Sequence, residues 1–192
     1  PSRIPRFRGS PVCPRIPESA RLALAPSWRL AYHDAFWIHP FQQGLMSVII
    51  RAVRSEDQSE WQGLYRQYGE FYKVGMTDET LATVWGWLHD PAHVVEGLIA
   101  EQEGKMVGLG HYRRMPSPLR GVEIGFLDDL FVNPSARGAR VGELLIARLV
   151  EIAKERGWGK IRWITADDNY RARTLYDRVA VKTAWNTYEV VI

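Results

Sequence analysis

The 192-residue sequence has almost no cysteine and no long apolar run. Its single cysteine, Cys13, cannot form an internal disulfide, which is typical of proteins from a reducing compartment. No apolar run approaches the roughly 20 residues that a membrane-spanning helix needs. The first residues lack the apolar stretch and small-residue cleavage site of a secretory signal. These absences make a cytoplasmic protein without a membrane partner the default expectation.

The formal net charge of +3 is unevenly distributed along the chain. Residues 1–45 contain six arginines, no lysine and only two acidic residues, whereas the rest of the chain contains 19 basic and 20 acidic residues. The basic character therefore belongs to the first 45 residues, and the remainder is almost neutral. Because a nucleic-acid partner requires concentrated positive charge on the folded domain, no such partner is expected.

The first 45 residues also contain seven of the eleven prolines. Five of these prolines, between Pro1 and Pro17, prevent both a continuous helix and a central strand. We interpret residues 1–45 as a Pro/Arg-rich N-terminal extension, flexible or partly docked, that precedes one domain at 46–192. A targeting peptide and a functional start at Met46 are the alternatives that the sequence leaves open.

Regular patterning begins after Met46 and predicts a single mixed α/β domain. Residues 47–53 are β-branched and strand-like, and apolar residues at helical spacing follow at 55–72 and 77–88. The predicted order of elements is β-α-α-β-β-β-α-β-α-β-β. The later strands are expected at 94–100, 106–112, 121–132, 161–165, 181–183 and 187–192, and the later helices at 139–156 and 170–179.

The stretch from Asp128 to Gly142 has the pattern of a strand end, a tight turn and the start of an amphipathic helix. Backbone N–H groups at a helix N-terminus are unpaired and the helix dipole is positive there, so such a turn favours a diphosphate. Arg137 and Arg140 add positive charge, and the glycines let the backbone approach an anion closely. An ordinary capped connection between a strand and a helix is the alternative interpretation.

This stretch resembles the signature of GNAT acetyltransferases, Arg/Gln-x-x-Gly-x-Gly/Ala after a strand that ends in Asn/Asp-Pro. Arg137 and Gly142 occupy the two ends of the signature, and Arg140 replaces its first glycine. A positive φ at Arg140 would make that replacement costly, at the expense of coenzyme affinity rather than of the fold. A second family motif, Asn-x-x-Ala-x-x-Leu-Tyr, is matched from Asn169 to Tyr176.

The resemblance implies a GNAT-like α/β (α+β) fold, with a mostly antiparallel central sheet flanked by helices. It also implies an acetyl-CoA-dependent N-acetyltransferase that uses no metal and commonly forms a homodimer. In the family, the motif asparagine contacts the coenzyme and the motif tyrosine protonates the departing thiolate. The implied coenzyme-binding residues are Leu130, Phe131, Val132, Arg137, Gly138, Ala139, Arg140, Val141, Gly142, Glu143, Asn169 and Tyr176.

Residues 162–165 and Tyr188 make the sequence most similar to the histone-and-polyamine, or spermidine/spermine-like, branch of the family. An alkylammonium, with a pKa near ~10.4, must lose a proton before its nitrogen can attack a thioester. Asp128 matches the acidic position of the branch's pattern Leu-Glu-Asp-Leu-Tyr-Val and is the candidate catalytic base. A purely structural role for Asp128 and Asp129 is the alternative.

The expected acceptor is a primary amine on a cationic, polyamine-like small molecule or on a lysine side chain. Acidic residues and aromatic faces would hold the cation, and the candidate aromatic residues are Trp61, Tyr65, Tyr68, Tyr72, Trp85 and Trp87. The alternatives are an acetyltransferase for protein N-termini or a neutral amine, and a non-catalytic acyl-CoA sensor. His89 and His93 have a spacing found among metal ligands, but Pro91 lies between them and no metal is expected.

Overall fold

The computed structural model describes residues 47–192, so the predicted extension at 1–45 and a start at Met46 lie outside the described residues. Short 3₁₀ turns precede α1, β4 and α3. The strands and helices, in chain order, are β1 (Val48–Ala52), α1 (Gln58–Tyr72), α2 (Asp78–His89), β2 (Val95–Gln102), β3 (Lys105–Ser117), β4 (Val122–Val132), α3 (Val141–Glu155), β5 (Ile161–Arg162) and α4 (Tyr170–Val179).

The five strands form one sheet in the order β1-β2-β3-β4-β5. The first four strands are antiparallel to their neighbours, whereas β5 runs parallel to β4. The parallel pairing joins only Gly125 to Ile161 and Phe126 to Arg162. Among the strands of residues 47–192, the second half of β4, from Leu127 onward, therefore has no partner on the β5 side, and the sheet is split there.

Helices cover both faces of the sheet. Since successive side chains of a strand point to opposite faces, one strand can contribute to the buried clusters on both sides. In β2, Leu98 and Ala100 belong to a buried cluster with α3, whereas Ile99 belongs to a second cluster with α1 and α2. Burying a large aliphatic side chain contributes roughly 1.5–3 kcal/mol to folding. Burial on both faces thus explains why β2 is an apolar run rather than an alternating one.

The ends of the helices follow from local residue choice. The Thr77 hydroxyl accepts a hydrogen bond from the Thr80 backbone N–H and caps α2, and the Asn169 side chain accepts from the Ala172 N–H and caps α4. After α3, Gly157 has a φ of 71°, a left-handed conformation that suits glycine. The predicted helices at 77–88 and 170–179 are confirmed.

The predicted α/β fold class is confirmed, but the strands predicted after α4 are wrong. Within residues 47–192, the sheet ends at β5, and β5 itself has two residues instead of the predicted 161–165. Residues 181–192 form no ladder, and the large apolar side chains of Val181, Trp185 and Tyr188 are exposed. Their β-branched and aromatic composition provides strand propensity, but a strand also requires a neighbour for its backbone hydrogen bonds.

None of the helices in the described part of the chain combines the length and apolar character that crossing a membrane requires.

Candidate active site

A cavity of about 460 Å³ opens where the sheet is split, between the second half of β4, the start of α3 and α4. Tyr68, Phe71 and Tyr72 of α1 also contribute to its lining. Ala139 does not line the cavity. The other eleven predicted coenzyme-binding residues all do: Leu130, Phe131, Val132, Arg137, Gly138, Arg140, Val141, Gly142, Glu143, Asn169 and Tyr176.

The backbone of β4 presents unused polar groups to this cavity. Phe131 is paired with Leu109, and the Asn133 N–H donates to the Val107 carbonyl at 2.9 Å. Alternate residues of an antiparallel strand bond to the same neighbour, so Phe131 and Asn133 bond toward β3. Leu130 and Val132 consequently direct their N–H and C=O groups away from β3, into the split that β5 leaves open.

The N-terminus of α3 forms the opposite wall of the cavity and is not capped by any side chain. Its N-cap residue, Arg140, has a φ of 56°, and the preceding Gly138 has a φ of 98°. A left-handed conformation costs a non-glycine residue roughly 1–2 kcal/mol, so the substitution of arginine for the signature glycine is a strained one. The Arg140 side chain donates to the Glu143 carboxylate on the first turn of α3. Because neither side chain caps the helix, the backbone N–H groups of that turn are available to an anion.

Asn169 connects α4 to α1 across the cavity. Its Oδ1 accepts from the Ala172 N–H at 3.3 Å, and its Nδ2 donates to the Tyr72 hydroxyl at 3.3 Å. The sequence motif singles out Asn169, but it offers no signal for Tyr72 as a partner, because 97 residues separate the two. The sequence predicts Tyr72 only as an aromatic residue for the acceptor, whereas the structure also pairs it with the motif residue Asn169.

Tyr176 lies on the cavity wall with its ring packed edge-to-face against Trp163, at 5.3 Å between ring centroids. Burial, together with the nearby Tyr72, raises the pKa of Tyr176 to about 12. Its hydroxyl makes no hydrogen bond to another residue of the described region, yet it is not a buried unsatisfied group. At neutral pH the phenol is thus protonated, and among residues 47–192 no group accepts its proton.

Asp128, the candidate base, lies outside the cavity lining, two residues before Leu130 on β4. The pairing of β3 with β4 shifts register there, from His111↔Asp129 to Tyr112↔Leu127, so Asp128 is the extra residue of a β-bulge. Arg113 Nε lies 3.1 Å from both carboxylate oxygens. Burial raises the pKa of Asp128, and the pairing with Arg113 only partly opposes that rise.

Asp129, the neighbouring acid, is held in a buried chain of hydrogen bonds. Trp61 Nε1–H donates to His111 Nε2 at 3.0 Å, so the ring proton of His111 lies on Nδ1 and is donated to Asp129 Oδ2 at 2.8 Å. The Tyr65 hydroxyl donates to the same oxygen at 3.0 Å. Burial alone would raise the pKa of Asp129, but the hydrogen bonds from His111 and the tyrosines outweigh it and lower the pKa. Asp129 therefore remains ionised.

Replacing His111 by alanine is expected to lower the free energy of unfolding by about 3 kcal/mol. The substitution leaves the fully buried Trp61 N–H without an acceptor and the partly buried Asp129 without its closest donor. Urea denaturation measures the loss. The matched control is Tyr65→Phe, which removes one of several donors to Asp129 and is expected to cost about 1.5 kcal/mol. Equal losses for the two variants would contradict the central position of His111.

The six candidate aromatic residues for the acceptor lie in different parts of the structure, and most of them do not line the cavity. Trp61 and Tyr65 are buried in the core beneath α1, so they offer no face to a substrate. Trp87 is exposed but stacks on His93, at 4.9 Å between ring centroids, and it does not line the cavity. Trp85 is partly buried against the same cluster. Of the six candidates, only Tyr68 and Tyr72 reach the cavity, and the buried pair has the core role that is the alternative for these aromatic residues.

The side chains of the two histidines with metal-like spacing form hydrogen bonds to backbone groups of nearby residues. His89 Nδ1 bonds the Trp85 carbonyl at 3.0 Å, and His93 Nδ1 accepts from the Val95 N–H at 3.2 Å. Across residues 47–192, no three or more His, Cys, Asp or Glu side chains are grouped so that they could hold a metal ion.

The chain is similar to known proteins over the region that contains the cavity. A model of the Acetyltransferase (GNAT) family matches residues 50–180. The D-amino-acid N-acetyltransferase HPA3 of Saccharomyces cerevisiae is 30% identical over 138 residues, covering 71% of this chain and 86% of the relative. The thialysine N-epsilon-acetyltransferase of Bos taurus is 31% identical over 139 residues, covering 67% and 81%. The solved structure of a ribosomal-protein-alanine N-acetyltransferase from Brucella melitensis biovar Abortus 2308 has a TM-score of 0.66 at 25% identity, covering 76% of this chain and 99% of that one.

The region matched by the family model begins in β1 and ends directly after α4, so it includes every element that builds the cavity. Each of the three similar proteins is named as an N-acetyltransferase. The resemblance predicted from the motifs at Arg137–Gly142 and Asn169–Tyr176 is confirmed. The chain belongs to the GNAT acetyltransferase family and is an N-acetyltransferase.

Proposed function

We propose that the protein transfers the acetyl group of acetyl-CoA to a primary amine of a cationic, polyamine-like small molecule or of a lysine side chain. The observation that carries the proposal is one cavity with three features. These are the uncapped N-terminus of α3, the unpaired backbone groups of Leu130 and Val132, and the free hydroxyl of Tyr176. The α3 N-terminus suits the diphosphate of the coenzyme. The backbone groups of β4 suit its extended, amide-containing chain, and the Tyr176 hydroxyl suits the leaving thiolate.

Starting from an ammonium, the acceptor nitrogen loses two protons, one before it attacks and one as the amide forms, and the sulfur gains one, so one proton is released to solvent overall. The acceptor reaches the site as an ammonium, so Asp128 takes a proton, directly or through water, and frees the nitrogen lone pair. A bond forms between that nitrogen and the acetyl carbon, and the carbon–sulfur bond breaks. Tyr176 supplies a proton to the sulfur as negative charge develops there. A carboxylate with a raised pKa and a phenol protonated at neutral pH suit these two roles.

The cationic character of the acceptor is supported by the charges next to the cavity. Asp129 is an ionised carboxylate that accepts a hydrogen bond from Tyr65, and Tyr68, which lines the cavity, also helps to lower its pKa. Negative charge behind an aromatic wall attracts ammonium groups. The named activities of two relatives, on D-amino acids and on thialysine, favour a small-molecule amine over a protein substrate.

A panel of amines tests the proposal, with release of the coenzyme thiol as the measurement. Polyamines and lysine-like amino acids are expected to give the highest kcat/KM. If neutral or anionic amines prevail, the cationic acceptor is wrong. If acetyl-CoA binds and no amine is acetylated, the chain acts as an acyl-CoA sensor instead.

The role of Asp128 has a separate signature in the pH dependence of kcat/KM. The base works only when ionised, and its pKa is raised, so activity should fall with decreasing pH at a value above the ordinary aspartate range. Asp128→Asn is expected to remove this acid limb and to lower kcat/KM by about 10²–10³-fold. Glu123→Gln is the control, because Glu123 lies on the same strand but pairs with Arg114, away from the cavity. An unchanged acid limb in Asp128→Asn would assign the base elsewhere.

A further inference from the structure

Positive charge is concentrated on the wall of the cavity. Four arginines line it, and Glu143 is the one acidic residue among the described lining residues; the arginines are Arg137, Arg140, Arg171 and Arg178. The chain from residue 46 onward is almost neutral as a whole, with 19 basic and 20 acidic residues, these included. This wall therefore differs in charge from the domain that carries it, and it suits a ligand with several negative charges.

Two of the four arginines are engaged by Glu143. Arg140 donates to its carboxylate, and Arg178 Nη2 lies 3.6 Å from it. Arg137 and Arg171 have no carboxylate partner in the described part of the chain. Burial and the positive charge of Arg171 lower the pKa of Arg137, which reflects two neighbouring cations that no acid separates.

The unpaired arginines come from two different segments. Arg137 ends the 3₁₀ turn before α3, whereas Arg171 is the second residue of α4. The α3 N-terminus already offers backbone donors suited to a diphosphate. Coenzyme A carries one further anionic group, the phosphomonoester on its ribose 3′-oxygen. A phosphomonoester carries a charge of about −1.5 to −2 at neutral pH and accepts bidentate hydrogen bonds from guanidinium groups.

We propose that Arg171, together with Arg137, forms a subsite for the 3′-phosphate of the coenzyme, and that this subsite discriminates coenzyme A from 3′-dephospho-coenzyme A. The inference rests on the proposed function, because it presupposes that the cavity binds the coenzyme. It adds Arg171 to the binding residues; Arg171 occupies an unspecified position of the second motif and lies outside the glycine turn of the first. A dianion bound between the two guanidinium groups offsets their mutual repulsion.

Isothermal titration calorimetry of the full chain with coenzyme A and with 3′-dephospho-coenzyme A tests the subsite. The wild-type protein is expected to bind the dephospho compound about 10- to 100-fold more weakly, the scale of hydrogen bonds between charged groups. Arg171→Gln should weaken binding of coenzyme A by a similar factor and leave binding of the dephospho compound within about twofold, because the group that Arg171 contacts is missing from it.

The matched control is Arg173→Gln on the same helix. Arg173 donates to Asp167 and does not line the cavity, so both affinities should stay at their wild-type values. Equal wild-type affinity for the two compounds would overturn the subsite. Equal weakening of both compounds by Arg171→Gln would also overturn it, because Arg171 would then contact the diphosphate. Failure of the wild-type protein to bind either compound would contradict the proposed function itself.

Discussion

Replacing Tyr176 by phenylalanine is expected to lower kcat by about 10²–10⁴-fold, the usual scale of a general acid. The ring and its contact with Trp163 remain, and only the proton is lost. Because the hydroxyl makes no hydrogen bond to the described residues, its removal leaves no protein group unpaired. The melting temperature and the affinity for acetyl-CoA should therefore barely change.

The pKa of Tyr176 explains why this side chain suits the final proton transfer. At about 12, it exceeds the ordinary value of tyrosine, so the phenol stays protonated at neutral and mildly alkaline pH. The proton is thus present when negative charge develops on the sulfur. The same shift makes the phenol a weaker acid, so the proton moves only once negative charge has developed on the sulfur.

Steady-state kinetics and calorimetry together separate chemistry from packing. Tyr170→Phe is the matched control, because Tyr170 lies on the same helix, is 72% exposed and does not line the cavity. Its kcat should be that of the wild-type protein. Near-normal turnover in Tyr176→Phe would mean that water protonates the thiolate or that thiol departure is not rate-limiting. The acid role of Tyr176 would then be withdrawn.

Replacing Gly142 by valine is expected to abolish binding of acetyl-CoA, with an affinity loss of more than about 100-fold. A Cβ atom at this position would lie 3.1 Å from Leu175 Cδ2 and 3.8 Å from Val132 Cγ2. The new side chain therefore projects between α3, α4 and β4, into the split of the sheet. It would fill the space that the coenzyme chain needs beside the diphosphate turn.

Two comparisons keep this prediction testable if the variant affects stability. Gly142→Ala adds only the Cβ atom, so Leu175 must give way slightly and a smaller loss of affinity is expected. Gly159→Val is the control, since a Cβ at Gly159 meets no atom within 4 Å. Calorimetry measures the affinity and thermal unfolding measures the fold. Wild-type affinity in a folded Gly142→Val protein would contradict the position of the coenzyme.

The sequence predicted those parts of the molecule whose signals are local. The helix predicted at 170–179 coincides with α4, because Asn169 caps it and apolar residues recur along one face. The residues of the turn before α3 were predicted as a group, and the structure brings all but Ala139 to one cavity. The sequence predicts that arginine in place of the signature glycine at position 140 is costly if its φ is positive, and the structure gives Arg140 a φ of 56°.

Features that depend on distant contacts escaped prediction. The chain of hydrogen bonds through His111 joins residues 50 and 18 positions apart, and no motif links them. The sequence places His111 in the predicted strand at 106–112 and gives no signal for its hydrogen-bond partners. The buried positions of Trp61 and Tyr65 and the missing strands at 181–192 have the same cause. Propensity and periodicity describe what a segment favours, whereas its partner is decided by the rest of the fold.

The unpaired backbone of Leu130 and Val132 has a consequence for how the site can evolve. Main-chain N–H and C=O groups are the same for every residue type except proline, which lacks the N–H. Recognition by these groups therefore survives exchange of the side chains, as long as the strand and its split are kept. A cleft of this kind places few demands on the identity of the residues that form it. If the cavity binds acetyl-CoA as proposed, lineages can exchange residues along β4 to suit new acceptors while the backbone groups that hold the donor stay unaltered.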